Sequence, residues 1–98
     1  MILERHTKQP GELKDYDIDY QDWLEPVSDT LQNVTAAITS DDEETPTLVC
    51  NAVFVSPTLA KFWMAGGTAG VKYKLTATAT TVGGRIDQSE LVFTIKDF

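Results

Sequence analysis

Apolar and polar residues alternate along much of this chain, and the alternation is clearest towards the C-terminus. In residues 71–80, apolar residues occupy every second position between lysines and threonines. This apolar set comprises Val71, Tyr73, Leu75, Ala77 and Ala79. A second alternating set, in residues 86–95, comprises Ser89, Leu91, Phe93 and Ile95. Because successive side chains of a strand point to opposite faces, each run predicts a strand with one buried and one solvated face.

A pair of glycines separates these two runs. Gly83 and Gly84 lie in the sequence VGGR, and glycine readily adopts the positive φ angles that tight hairpin turns require. The two runs are therefore predicted to pair as a long antiparallel hairpin.

Shorter strands are predicted upstream. The alternating apolar residues are Tyr16, Ile18 and Tyr20 in one run and Val34, Ala36 and Ile38 in the next. Residues 47–56 are apolar on both faces, which is typical of a central strand or of one that another element covers.

A further strand is predicted in residues 60–65, before the chain reaches two more glycines. Phe62 and Met64 share one face of this strand and Trp63 lies on the other. No segment repeats apolar residues with the 3.6-residue period of a helix. The pattern predicts an all-β fold, an immunoglobulin-like antiparallel β-sandwich of about seven strands, with a small barrel as the alternative.

The N-terminal residues do not share this pattern. Residues 1–14 are mostly polar, include Pro10 and Gly11, and show no period. They predict a flexible or extended N-terminal arm, which leaves residues 15–98 as the immunoglobulin-like domain. These first residues also lack the apolar centre of a signal peptide.

Charge and cysteine content indicate which classes of partner and which cellular compartment to expect. The chain of 98 residues carries a formal net charge of −7, and nucleic-acid binding needs clustered cationic side chains, so we expect protein partners and no nucleic acid. The single cysteine, Cys50, excludes an internal disulfide, which fits a chain made in a reducing cytoplasm. No apolar run is long enough to span a membrane, so no membrane partner is expected.

No set of residues predicts catalysis, a cofactor or a metal. The lone histidine, His6, lies in the arm, and Cys50 lies in an apolar strand with no histidine nearby in sequence. Asp15, Asp17 and Asp19 resemble the start of a calcium loop, but its glycine and its final glutamate are missing, so a solvated acidic face is the preferred interpretation. The acidic run of residues 41–44 predicts an exposed loop, with a docking or ligand site as the alternative.

The sequence GGTAGVKY predicts a structural corner. In immunoglobulin-like sandwiches, a tyrosine near the start of the penultimate strand turns its hydroxyl back to the upstream backbone. Gly66, Gly67 and Gly70 form the turn and Tyr73 is the tyrosine. We expect its hydroxyl to bond a backbone carbonyl near Thr68 or Ala69; the alternative is that Tyr73 is only a large inward residue.

The two tryptophans are candidate interface residues. The strand alternation turns Trp63 outward, and exposed tryptophans often anchor protein contacts. The alternative interpretation places both Trp63 and Trp23 in the core.

Several of these segments together resemble a known family. DYDIDYQDWL, the middle apolar strand and WMAGGTAGVKYKLTATATTVGGRIDQSELVFTI are similar to short phage and prophage virion proteins with immunoglobulin or fibronectin type III folds. The resemblance covers Asp15 to Ile95, and GGTAG followed by Tyr73 is its most specific part.

The resemblance implies a non-enzymatic virion structural protein, of the kind that joins tail, neck or fibre components as an adaptor. It also implies other virion proteins as partners, several copies in one particle, and assembly in the bacterial host cytoplasm. An alternative is a carbohydrate or cell-surface binding module, in which Trp63 with Asn51 or Lys61 would form the platform.

Overall fold

The computed structural model describes the backbone of residues 2–97 and the side chains of residues 4–97. Seven strands and one short helical segment follow one another along the chain. They are β1 (Ile2–Lys8), β2 (Lys14–Asp19), α1 (Gln21–Leu24) with a 3₁₀ turn (Glu25–Val27), β3 (Leu31–Thr39), β4 (Leu48–Phe54), β5 (Leu59–Gly66), β6 (Lys72–Thr81) and β7 (Ile86–Ile95).

The strands form two sheets. The first has the order β1-β7-β6-β3 and the second has the order β2-β5-β4. All neighbouring strands are antiparallel except β1 and β7, which are parallel. The predicted immunoglobulin-like sandwich of seven strands is confirmed.

The core lies between the sheets, where the alternating residues of β6 and β7 point inward. Tyr73 pairs with Phe93 and Leu75 pairs with Leu91 across the two strands, and all four side chains are buried. The second sheet supplies Phe62 and Met64, both fully buried, from the face of β5 opposite Trp63. The two-residue alternation in these strands therefore separates core side chains from solvent-facing side chains, as the sequence predicted.

Strand β1 lies within the segment for which the sequence predicted an arm. Its backbone pairs with β7 from Ile2 to Lys8. His6 stacks on Phe93, with ring centroids 5.3 Å apart, and the Lys8 ammonium donates to the Gly66 carbonyl at 2.7 Å. Because these inward residues are amphipathic instead of apolar, β1 shows no hydrophobic period. The separation of an arm, residues 1–14, from a domain, residues 15–98, stays a prediction.

The helical segment after β2 was not predicted. Helix α1 has four residues, too few for a 3.6-residue repeat to appear. Its Leu24 is fully buried and belongs to the hydrophobic core. Within residues 2–97, no helix is long and apolar enough to cross a membrane.

The prediction that residues 47–56 form a central or covered strand was wrong. Strand β4 lies at the edge of the second sheet and pairs only with β5. Val49 is 57% exposed and Val53 is also exposed. A continuous apolar run cannot distinguish a covered strand from one that presents an apolar face to solvent.

Candidate interaction surface

The turn after β5 requires its glycines. Gly66 and Gly67 have φ angles of +77° and +99°. A Cβ atom on Gly66 would lie 2.6 Å from the Thr47 carbonyl oxygen, and one on Gly67 would lie 2.8 Å from the Ile95 side chain. Gly70 also has a positive φ angle, of +86°.

The Tyr73 hydroxyl lies against this turn. It accepts the Thr68 backbone N–H at 3.0 Å and lies 3.0 Å from the Thr47 hydroxyl. It donates its own proton to the Glu43 carboxylate. The expected carbonyl partner is therefore corrected to an amide, because the hydroxyl proton is already given to Glu43.

Glu43 belongs to the acidic run but is not a freely solvated side chain. Its carboxylate accepts the Thr68 hydroxyl at 2.6 Å and the Thr47 backbone N–H at 3.0 Å. These hydrogen bonds, first from Thr68 and then from Tyr73, lower the pKa of Glu43 to about 2. The other three residues of the run are exposed. Sequence reasoning missed this role because Tyr73 lies 30 positions away, and nothing local to residue 43 indicates it.

The β6–β7 turn is fixed at the opposite end of the sandwich. The Asp29 carboxylate accepts the Gly83 N–H at 2.9 Å and pairs with Arg85 Nε at 3.2 Å. A Cβ atom on Gly83 would lie 2.8 Å from that carboxylate, and Gly84 has a φ angle of +88°. Hydrogen bonds, first from the Thr81 hydroxyl and then from the Gly83 amide, lower the pKa of Asp29 to about 2.

Trp23 lies at the same end of the sandwich as the β6–β7 turn. The Arg85 guanidinium lies 4.4 Å above its indole ring and donates to its carbonyl at 3.1 Å. The side chain is partly buried against the core. A role for Trp23 in an interface stays a prediction.

Trp63 lies on the outer face of the second sheet, beside a shallow apolar groove. Trp63 is 38% exposed, while Leu13 and Val49 are 64% and 57% exposed. The groove has a volume of about 600 Å³ and is lined by Leu13, Val49, Cys50, Asn51, Trp63 and Ala65. We call this site the Trp63 groove.

Charged residues border the Trp63 groove. The Lys61 ammonium lies 2.6 Å from Asp15 and 3.3 Å from Asp17 and 5.6 Å from the centre of the Trp63 ring. The hydrogen bond to Lys61 lowers the pKa of Asp15. Asp19 accepts the Gln21 N–H at the start of α1. Asp15 and Asp17 therefore pair with a lysine, and Asp19 bonds the backbone at the start of a helix.

A second apolar surface lies at the hairpin end, where the β6–β7 turn contacts Thr30 and Thr30 lies beside the end of β4. The Val82 N–H donates to the Thr30 carbonyl. Thr30 lines a pocket of about 300 Å³ together with Phe54 and Val55. The exposed apolar residues of this hairpin-end surface are Phe54 and Val55, which line the pocket, and Val82 and Ile86, which flank the β6–β7 turn.

The residues considered for catalysis lie on different sheets. His6 is on β1 and forms a 2.6 Å contact with Glu4. Cys50 is on β4, and its burial raises the pKa of the thiol to about 11. Within residues 2–97, no group of three or more His, Cys, Asp or Glu side chains could hold a metal ion.

The chain matches a model of a known protein family. The family model described as "Podophage GP4 fiber-tail adaptor protein gp77" matches residues 8–94. No curated protein matches the chain. The family match confirms the resemblance to phage adaptor proteins that the sequence indicated.

Proposed function

Because the chain belongs to this family of podophage fibre-tail adaptor proteins, we propose that it is a non-enzymatic structural protein of the virion. It joins tail, neck or fibre proteins and works in several copies assembled in the host cytoplasm. Its net charge of −7 favours protein partners over nucleic acid.

The observation that carries this proposal is the presence of two separate apolar surfaces on one elongated sandwich. The molecule measures 43 × 21 × 18 Å. Val49 and Ala65 of the Trp63 groove lie near the end of β5 that leads into Gly66, whereas Val82 and Ile86 flank the opposite turn. A protein that joins two others needs two such surfaces. Aromatic and aliphatic side chains that become buried on binding typically form the centre of a protein interface.

The Trp63 groove also bears on the carbohydrate alternative. Asn51 pairs with Trp63 across β4 and β5, so a polar group does lie beside the indole ring. The rest of the lining consists of Cys50 and the aliphatic side chains of Leu13, Val49 and Ala65, and these aliphatic side chains offer a sugar no hydrogen bonds. This composition favours a protein contact.

The test is binding of purified variants to the tail and fibre proteins of the same phage. Trp63→Ala should weaken binding to one partner by about 30-fold, as expected for an interface anchor worth about 2 kcal/mol. Val82→Ser, at the hairpin end, should weaken binding to the other partner and leave the first unchanged. Thr35→Ser, on the exposed outer face of β3, is the matched control.

Two results would overturn the proposal. The first is wild-type binding by both apolar-surface variants to every tail and fibre protein. The second is binding to a glycan that Trp63→Ala abolishes, with no binding to virion proteins, which would establish the carbohydrate module instead.

A further inference from the structure

Four strands lie at sheet edges, and three of them carry features that discourage further strand pairing. These are β1, β2 and β3. Strands β1 and β2 contain charged residues, including Arg5 and Asp17. The register of β1 shifts near Ile2, and that of β3 shifts between Leu31 and Asn33. Charges and bulges are the usual means by which proteins keep edge strands from pairing with other chains.

The fourth edge strand, β4, has no such protection. Its sequence LVCNAVF contains no charged residue, proline or glycine, and its register with β5 is regular from Leu48 to Phe54. Strand β3 lies next to β4 but forms no ladder with it. Within residues 2–97, the β4 backbone forms no hydrogen bond outside its pairing with β5. Alternate N–H and C=O groups along this edge therefore lack a strand partner.

The β4 sequence is also symmetric about its central residue. Two valines lie two positions on either side of Asn51, and Cys50 and Ala52 flank it directly. The ends of the strand are Leu48 and Phe54, both large and apolar. Such a segment is complementary to itself when two copies run antiparallel.

We propose that β4 pairs antiparallel with β4 of a second copy of this chain, centred on Asn51. In this register Val49 faces Val53 of the second copy, so these exposed apolar side chains pack side by side on the outer face. No like charges meet at the pairing, because the strand has none. The two second sheets then form one continuous sheet of six strands, in the order β2-β5-β4-β4-β5-β2.

This pairing has a consequence for the Trp63 groove. The groove lies on the face of the sheet, whereas the pairing uses its edge, so both grooves stay open. Because Val49 and Asn51 line the groove, the two grooves lie side by side across the two-fold axis. The pairing itself does not depend on the identity of the adaptor's partners.

Cysteine cross-linking tests the register. In a Cys50→Ala background, Asn51→Cys places two thiols opposite each other at a Cα separation of about 4.5–5.5 Å, within the range for a disulfide. Val49→Cys is the matched control, because it is exposed on the same strand but lies roughly 13 Å along the strand from its equivalent. Under mild oxidation, Asn51→Cys should form disulfide-linked dimers at least tenfold faster than Val49→Cys. Equal rates would overturn the proposal.

Sedimentation velocity tests the pairing without engineered thiols. The wild-type chain should self-associate, and more strongly at higher salt, since each copy carries a charge of −7 and salt screens the repulsion between copies. Val53→Lys should abolish association, while Thr35→Lys, on the β3 edge, should not. A wild-type chain that stays monomeric up to millimolar concentration would refute the pairing and leave the partner-binding test of Trp63→Ala unaffected.

Discussion

Replacing Tyr73 with phenylalanine tests the hydrogen-bond network at the turn after β5. The ring fills the same space in Tyr73→Phe, so the variant removes only the hydroxyl. That hydroxyl belongs to a residue that is 1% exposed, accepts the Thr68 N–H and donates to Glu43. Its loss leaves the Thr68 amide without this acceptor and the carboxylate without one of its donors.

The expected cost follows from these lost contacts. A hydrogen bond contributes about 0.5–1.5 kcal/mol net, and the Tyr73 hydroxyl makes one to Thr68 and one to Glu43, so we take about 2 kcal/mol for the pair. In a domain of this size, each kcal/mol shifts the Tm by about 4–8 °C. We therefore expect Tyr73→Phe to unfold about 8–16 °C below the wild type at pH 7.

Tyr20→Phe is the matched control. Tyr20 is 5% exposed, and its hydroxyl has no hydrogen-bond partner within the part of the chain that the structure describes. Removing that hydroxyl should leave the Tm unchanged or raise it, because a buried polar atom without a partner is itself unfavourable. Thermal unfolding followed by circular dichroism measures both variants under identical conditions.

The comparison between the two variants is decisive. A Tyr73→Phe variant within 2 °C of the wild type would show that the hydroxyl network adds nothing measurable to folding. Equal losses in the two variants would show that removing any tyrosine hydroxyl from this core has the same effect, whatever its partners.

Two further predictions concern acid stability and the first strand. The pKa of Glu43 is about 2 in the folded chain and about 4.3 in an unfolded one, so its contribution is complete above about pH 4.3 and disappears as the pH falls towards 2. Urea unfolding at several pH values should therefore show a smaller acid-induced loss of stability in Glu43→Gln; an unchanged pH profile would contradict this assignment. Deleting residues 2–8 should leave a folded sandwich with a lower Tm, since the deletion exposes the edge of β7. Wild-type stability in the truncated chain would instead support a separate arm.

The parts of the fold that the sequence predicts well are those with strict alternation. The apolar inward residues of β6 and β7 were identified, because a one-residue slip would move every apolar side chain to the wrong face. Strand β1 was missed because it contributes His6 and Lys8 to the interior, and a hydrophobic pattern does not register a lysine that bonds the Gly66 carbonyl.

The candidate interaction surface was predictable only in part. The outward direction of Trp63 followed from its position in β5, but the Trp63 groove also needs Leu13, which precedes β2, and Val49 of β4. The position of β4 at an edge depends on strand order, which no local pattern specifies. For the same reason, the contact between Glu43 and Tyr73 could be recognised only after the β3–β4 loop was placed.

The parallel pairing of β1 with β7 has a consequence during protein synthesis. Ribosomes produce residues 2–8 well before their partner strand, Ile86–Ile95. At bacterial elongation rates of about 20 residues per second, β1 waits roughly 4 s before its docking site exists. A chain whose synthesis stops before β7 has no strand with which β1 can pair. A sheet in which β1 is paired along its length therefore shows that translation has passed residue 95.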